Sequence, residues 1–337
     1  MHKVRRADID TLRGVSVISV VIYHFNNLIF PNGYLGVDLF FVISGFVITK
    51  SILGKIEKKK FSFINFYIKR ARRILPAFLL VLLITLIASS FILLTSDLKR
   101  YTESLITSLS FVSNFYFWLT GGYFSTNDQL KPLLHLWSLS VEEQFYLIFP
   151  LLVFFSFKFF KKLKFFIFIV LITSIVSFSL NLLFLKNTDA VFFLFPARIW
   201  EFGIGILFAL LPSLKIKNVI LEAIYLLIAI FLIMFNFFYI VEFLPDATLM
   251  CLGLGLILFK PVNERNILSN IFQLKPLIFI GLISYSLYLW HWPIISYFKY
   301  TSMDNLSFSQ FIISSILILS LSILSWKFVE QPFLNNY

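Results

Sequence analysis

The chain has 337 residues, of which 59% are hydrophobic, 19% aromatic and 14% charged, and its mean hydropathy of +0.89 excludes an ordinary soluble domain, in which roughly half of the residues are apolar. A crossing takes about 20 apolar residues, so the length accommodates about ten membrane helices in one domain and leaves nothing over for a globular domain outside the bilayer. The net charge of +12 raises the question of a nucleic-acid partner, which the distribution of that charge answers in the negative, and a single cysteine, Cys251, excludes an internal disulfide or a thiolate metal cluster.

Apolar runs and the turns or charges that break them predict an all-α polytopic bundle of ten spans: Ile9–Phe30, Tyr34–Leu53, Ile74–Thr95, Leu133–Ser156, Phe165–Leu185, Val191–Leu211, Val219–Ile240, Ala247–Phe259, Leu277–Phe298 and Ser307–Phe328. The first carries charge and lacks a small-residue cleavage site, so it reads as a retained helix and not a signal peptide. Between the third and fourth spans, Ser104–Leu119 (SLITSLSFVSNFYFWL) is too polar and short for a crossing and is placed as an interfacial or re-entrant helix on the outer face. With both termini cytoplasmic, 21 of the 29 Lys and Arg fall in inner segments and five outside (Lys99, Arg100, Lys131, Lys186 and Lys299). This is the positive-inside bias, and it accounts for the charge without nucleic acid. Gly253 and Gly255, in the short eighth span, read as a close helix contact and not as a nucleotide loop.

Ionisable groups within the bilayer are costly and mark candidate sites. At 1.5 Å per residue, His24, Asp38, Glu142, Arg198, Glu201 and His291 count to similar depths, about 8–15 Å below the outer face, from five different spans. Arg13 lies near the inner rim. Eleven residues turn a helix only about 20° past three full turns, so Arg13 and His24 share a face about 16 Å apart. A groove of that shape suits a long ligand with an anionic head and a reactive tail. Simpler roles stand beside this one: His24 as an interhelical hydrogen-bonding residue, Arg198 and Glu201 as a structural i,i+3 pair, Lys69–Arg73 (KRARR) as a topology signal on anionic lipid, and His135 as interfacial. Glu142 and Glu143 are adjacent, so they are not both expected to face inward. The four scattered histidines and the lack of an H-E-x-x-H motif make metal catalysis unexpected.

At these residues the sequence resembles the acyltransferase-3 family of multipass membrane acyltransferases, which O-acylate bacterial cell-surface carbohydrates. The resemblance spans nearly the whole chain and rests on DIDTLRGVSVISVVIYH (Asp8–His24), GYLGVDLFFVISGFVIT (Gly33–Thr49), FYIKRARRILPAF (Phe66–Phe78), LWSLSVEEQFYLIFP (Leu136–Pro150), RIWEFGIG (Arg198–Gly205), ISYSLYLWHWP (Ile283–Pro293) and VEQPF (Val329–Phe333). Each motif is weak alone; their joint occurrence in this order is specific. The resemblance implies Arg13 and His24 as the acyl-donor and catalytic pair, Arg70 and Arg73 as an Arg-x-x-Arg pair, and functional positions at Asp38, Glu142, Arg198 and His291.

It also implies acetyl-CoA as donor, a surface carbohydrate or lipid-linked glycan as acceptor, and the bacterial cytoplasmic membrane as location. Some relatives carry a fused extracytoplasmic domain; the sequence ends at Tyr337 without one, which leads to the expectation of a stand-alone enzyme. On this reading His24 is the general base, Asp38 or Glu142 orients it, Arg13, Arg70 and Arg73 hold the donor's phosphates, and Arg198, Glu201 and His291 serve substrate binding. The rival is a transporter of a polar solute or glycan, in which the buried charges form a substrate or proton pathway.

Overall fold

The computed structural model describes residues 6–121, 123, 130–157, 163–184, 188–260, 270–302 and 306–335. Every regular element among them is helical. Six helical stretches are long and apolar enough to cross a membrane: Gly33–Glu57, Phe63–Ile92, Leu136–Phe155, Leu163–Leu183, Val219–Phe238 and Phe308–Leu334. Lys275–Leu282 and Ser284–Ser302, divided at Ile283, pass the same test only when taken together. Large apolar side chains stand outward on these helices, Phe91 85% exposed and Phe231 and Ile175 62%. Such surface is tolerable when the surrounding medium is hydrocarbon. The first, sixth and eighth expected spans also form helices, Ala7–Phe25, Phe195–Leu210 and Thr248–Phe259. The first of these carries Asp8, Asp10 and Arg13 within its 19 residues, and the other two have 16 and 12 residues. Lys158, Lys161 and Lys162 of the expected inner cluster, and Lys186, lie outside the described residues.

The chain packs as two compact units. The first comprises Met1–Lys59, Ile148–Val191 and Phe195–Ser284; the second comprises Lys60–Leu147, Phe192–Leu194 and Tyr285–Tyr337.

In the first unit, α1 (Ala7–Phe25) packs on the short helix Lys275–Leu282, and α2 (Gly36–Glu57) packs on Phe195–Leu210. Glycine decides both contacts. A Cβ on Gly45 of α2 would stand 2.3 Å from the Phe202 carbonyl oxygen, and one on Gly205 would stand 2.0 Å from that of Val42. The two backbones therefore touch, Gly45 beside Gly205, with Phe41 stacked on Phe202 at 4.8 Å. Positions 160 apart in sequence face each other in ascending order, so these helices run parallel. Gly14 and Gly281 make the same kind of close backbone contact, since a Cβ on Gly14 would meet the Leu277 carbonyl and one on Gly281 that of Asp10. By contrast Val219–Phe238, capped by Asn218, lies antiparallel to Thr248–Phe259: Tyr225 donates to the Leu256 carbonyl at 2.8 Å, and the Met250 N–H donates to Asn236 at 3.1 Å. Gly253 fits against the Ala229 carbonyl, which is the close packing expected of that glycine.

The second unit is organised on α3, Phe63–Ile92, which starts eleven residues before the expected span. Ser62 caps it by accepting from the Asn65 N–H, so Lys69–Arg73 extends the helix in place of forming a loop. The Ser104–Leu119 segment belongs to two short helices, α4 (Thr95–Leu109) and α5 (Ser113–Thr120). They are divided at Phe111, whose φ of 53° is unusual for a bulky residue. Phe111 is held there by stacking on Phe78 at 5.2 Å and by a hydrogen bond from Gln144 to its carbonyl at 3.1 Å.

Candidate functional site

His24 closes α1 and is 6% exposed, whereas Arg13, three turns earlier, is half-buried. Because α1 is unbroken, the eleven-residue spacing keeps both on one face about 16 Å apart. The His24 ring meets Tyr23 edge-on at 5.4 Å, Tyr23 meets Tyr34 at 5.3 Å, and the Tyr34 hydroxyl donates to Asp246 Oδ2 at 3.1 Å. Asp246 acts electrostatically on Asp38 and Arg198. The first unit therefore joins His24 by a run of aromatic and polar contacts to a charged cluster.

That cluster follows from the parallel seam. Seven residues, two turns, before Gly45 is Asp38, and seven before Gly205 is Arg198, so the same register that seats the glycines sets these side chains face to face. Arg198 Nη1 donates to Asp38 Oδ1 at 2.7 Å and to Glu201 Oε1 at 2.9 Å. Glu201 is 0% and Asp38 2% exposed. One guanidinium faces two carboxylates, an arrangement that is neutral only when it also carries a proton. Removing one member of such a buried set leaves an uncompensated charge. Asp38, a candidate to orient His24, is instead directed at Arg198, and the Arg198–Glu201 pair is real and larger than expected because Asp38 joins it.

In the second unit, the Tyr146 hydroxyl donates to Glu142 Oε1, and the Arg70 guanidinium stacks on the Tyr146 ring at 4.3 Å. Arg73, one turn on along α3, lies in the field of Glu142 and Glu330. Among the described residues neither Arg70 nor Arg73 makes a hydrogen bond or an ion pair within 4 Å. The expectation that one of Glu142 and Glu143 turns outward does not hold, since both are part-buried and Glu143 Oε1 is buried without a partner among the described residues.

His291 is fully buried on Ser284–Ser302, its Nδ1 2.6 Å from the Tyr288 carbonyl oxygen. Its ring lies 5.6 Å from that of His135. His135, expected at the interface, is 2% exposed, with both ring nitrogens lacking a hydrogen-bond partner among the described residues.

The structure thus brings His24, Asp38, Arg198 and Glu201 into one unit with Arg13, and Glu142, His291, Arg70 and Arg73 into the other. Sequence reasoning missed Asp246, Tyr34 and His135. Asp246 is an acid in the turn before a short apolar helix, and His135 heads the LWSL motif; both stand at the edges of apolar runs, where charge is unremarkable.

Comparison with known proteins identifies an acyltransferase domain family whose model matches residues 6–327. The chain is similar to the O-acetyltransferase OatA of Staphylococcus aureus from strains NCTC 8325 and COL, 30% identical over 347 residues in each case. The match covers 96% of this chain and 56% of each relative, so the chain spans a little over half the length of those curated proteins. No solved structure matches it.

Proposed function

Because the chain belongs to the acyltransferase domain family, we propose that it transfers an acyl group, acetyl from acetyl-CoA in the first instance, to a hydroxyl of a cell-surface carbohydrate or lipid-linked glycan. The observation that carries this reading is the family match over residues 6–327, joined to a histidine, His24, buried in an apolar helix whose other end bears Arg13. In the proposed step the acceptor oxygen attacks the thioester carbonyl carbon while His24 takes its proton. The carbon–sulfur bond then breaks, the thiolate departs and collects that proton, and the products are an ester and free CoA.

Arg13 is assigned to the anionic end of the donor, a task suited to a planar guanidinium that grips phosphate with two hydrogen bonds. Arg70 and Arg73 are the other candidate phosphate ligands. Asp38, Arg198 and Glu201 are assigned to holding the seam between α2 and Phe195–Leu210, with substrate contact secondary. Glu142 and His291 are supporting residues of the second unit.

We place the protein in the bacterial cytoplasmic membrane with ten crossings and both termini cytoplasmic. The parallel run of α2 with Phe195–Leu210 supports this count. If Ser104–Leu119 were an eleventh crossing, α2 and Phe195–Leu210 would run in opposite directions. Cys251 is buried, so cysteines introduced at Lys99→Cys and Lys215→Cys are expected to react with an impermeant maleimide only from the outer and the inner side, respectively.

The experiment that tests the function uses the protein in lipid nanodiscs with acetyl-CoA and carbohydrate acceptors, following free thiol and the mass of the glycan. Thiol release coupled to an acetyl-sized gain in glycan mass is expected. Solute flux across liposomes in the absence of acetyl-CoA, with no thiol release, would replace this reading by the transporter.

A further inference from the structure

The second unit contains a cavity of about 210 Å³ at the junction of α4, the segment before Leu136–Phe155 and the end of Ser284–Ser302. Its polar lining consists of Asp97, Arg100, Tyr101, Ser104, Lys131 and Tyr300. The walls are braced from behind. The Trp292 indole donates to the Lys131 carbonyl at 2.8 Å. The Tyr300 hydroxyl donates to Asp97 Oδ2 at 2.8 Å and accepts from the Leu94 N–H at 3.1 Å. The Tyr101 hydroxyl is engaged with Thr85 at 2.9 Å, and the Ser104 hydroxyl donates to the Tyr101 carbonyl at 2.7 Å.

After these bonds are made, the groups with capacity left are specific. The Arg100 guanidinium makes no hydrogen bond or ion pair among the described residues, and neither does Asp97 Oδ1. Burial pushes the Tyr101 phenol up to about 12, so it is neutral, and among the described residues the charges on the wall are Arg100, Lys131, which is engaged elsewhere, and one carboxylate, Asp97. A lipid tail has no use for such a lining. A sugar ring does: its hydroxyls need an acceptor such as Asp97, its apolar face needs an aromatic ring, and a carboxylate on it would engage the guanidinium in two parallel hydrogen bonds.

We infer that this cavity is a docking site for an acidic sugar unit, with Arg100 gripping the carboxylate and Asp97 accepting from ring hydroxyls. The inference rests on the carbohydrate acceptor proposed above and narrows it to saccharides that carry a uronate or a similar acid.

The test measures binding to the protein in zwitterionic nanodiscs without acyl donor, using a trisaccharide containing one glucuronate and its neutral glucose counterpart. The acidic probe is expected to bind about tenfold tighter, the scale of one hydrogen-bonded charge. Arg100→Gln should erase that preference, whereas Lys99→Gln, the same loss of charge one residue away and outside the cavity lining, should preserve it. Equal affinity for the two probes, or equal losses in both variants, would overturn the proposal. So would displacement of the acidic probe by phosphatidylglycerol nanodiscs, which would make the cavity a headgroup site. If the acidic preference and its Arg100 dependence hold while no donor and acceptor give turnover, acyl transfer fails as the function and the sugar site stands.

Discussion

Arginine is used in two opposite ways in the two units. In the first, Arg198 is charge-paired: a single nitrogen bonds two carboxylates, and the residues around it are almost without exposure. In the second, Arg70 and Arg73 stand on α3 with no carboxylate in bonding distance among the described residues, one laid against a tyrosine ring. A guanidinium whose charge is already met by two buried carboxylates has little attraction left for an anionic ligand and a great deal to lose if a partner is removed. One with no carboxylate in bonding distance has hydrogen bonds available for an anion. Residue type alone does not distinguish structural from ligand-binding arginines; the count of acceptors around each one does.

Four single substitutions and one paired change break or sharpen this contrast. His24→Ala sets the scale, since loss of a general base should lower turnover by about 10²–10⁴-fold while the purified protein keeps its melting temperature; retained turnover removes His24 from the chemistry. Arg198→Ala should lower stability by about 3–5 kcal/mol, because two buried carboxylates lose their cation, and is read as loss of folded protein in a thermal-unfolding assay. A milder loss for the paired change Arg198→Leu with Asp38→Asn would show that the stray charge, and not the missing contact, is responsible. Arg73→Ala should cost less stability than Arg198→Ala, since Glu142 and Glu330 act on it only from beyond bonding distance, and should weaken acetyl-CoA binding about tenfold, the worth of a charge-assisted hydrogen bond, measured by titration of the donor; a stability loss as large as that of Arg198→Ala would end the comparison. Arg70→Lys is expected to do least, about 0.5–1 kcal/mol, from replacing a guanidinium stacked on Tyr146 by an ammonium.

Much of the fold was legible because hydropathy marks where helices lie, and each of the ten expected spans overlaps at least one, the ninth being broken into two at Ile283. Boundaries were less so. The third span was placed from Ile74 because a hydropathy reading stops at the charges of Lys69–Arg73, whereas the backbone continues through them from Phe63. The site was found residue by residue through one signal, charge inside an apolar run, which picked out His24, Asp38, Arg198 and Glu201. Their pairing was not legible. Asp38 and Arg198 are 160 positions apart, and only the glycine contacts reveal that they face each other. His135 was misplaced for a related reason, as nothing local indicates that Tyr288 and His291 cover it.

The glycine contact between α2 and Phe195–Leu210 also constrains how the protein can change. Where backbone meets backbone there are no rotamers to absorb a slip, so the two helices are indexed like the teeth of a key. Inserting a single residue between Asp38 and Gly45 would swing the carboxylate by about 100°, off its guanidinium and toward hydrocarbon. The loops are free to lengthen, but the seven-residue interval shared by both helices is not.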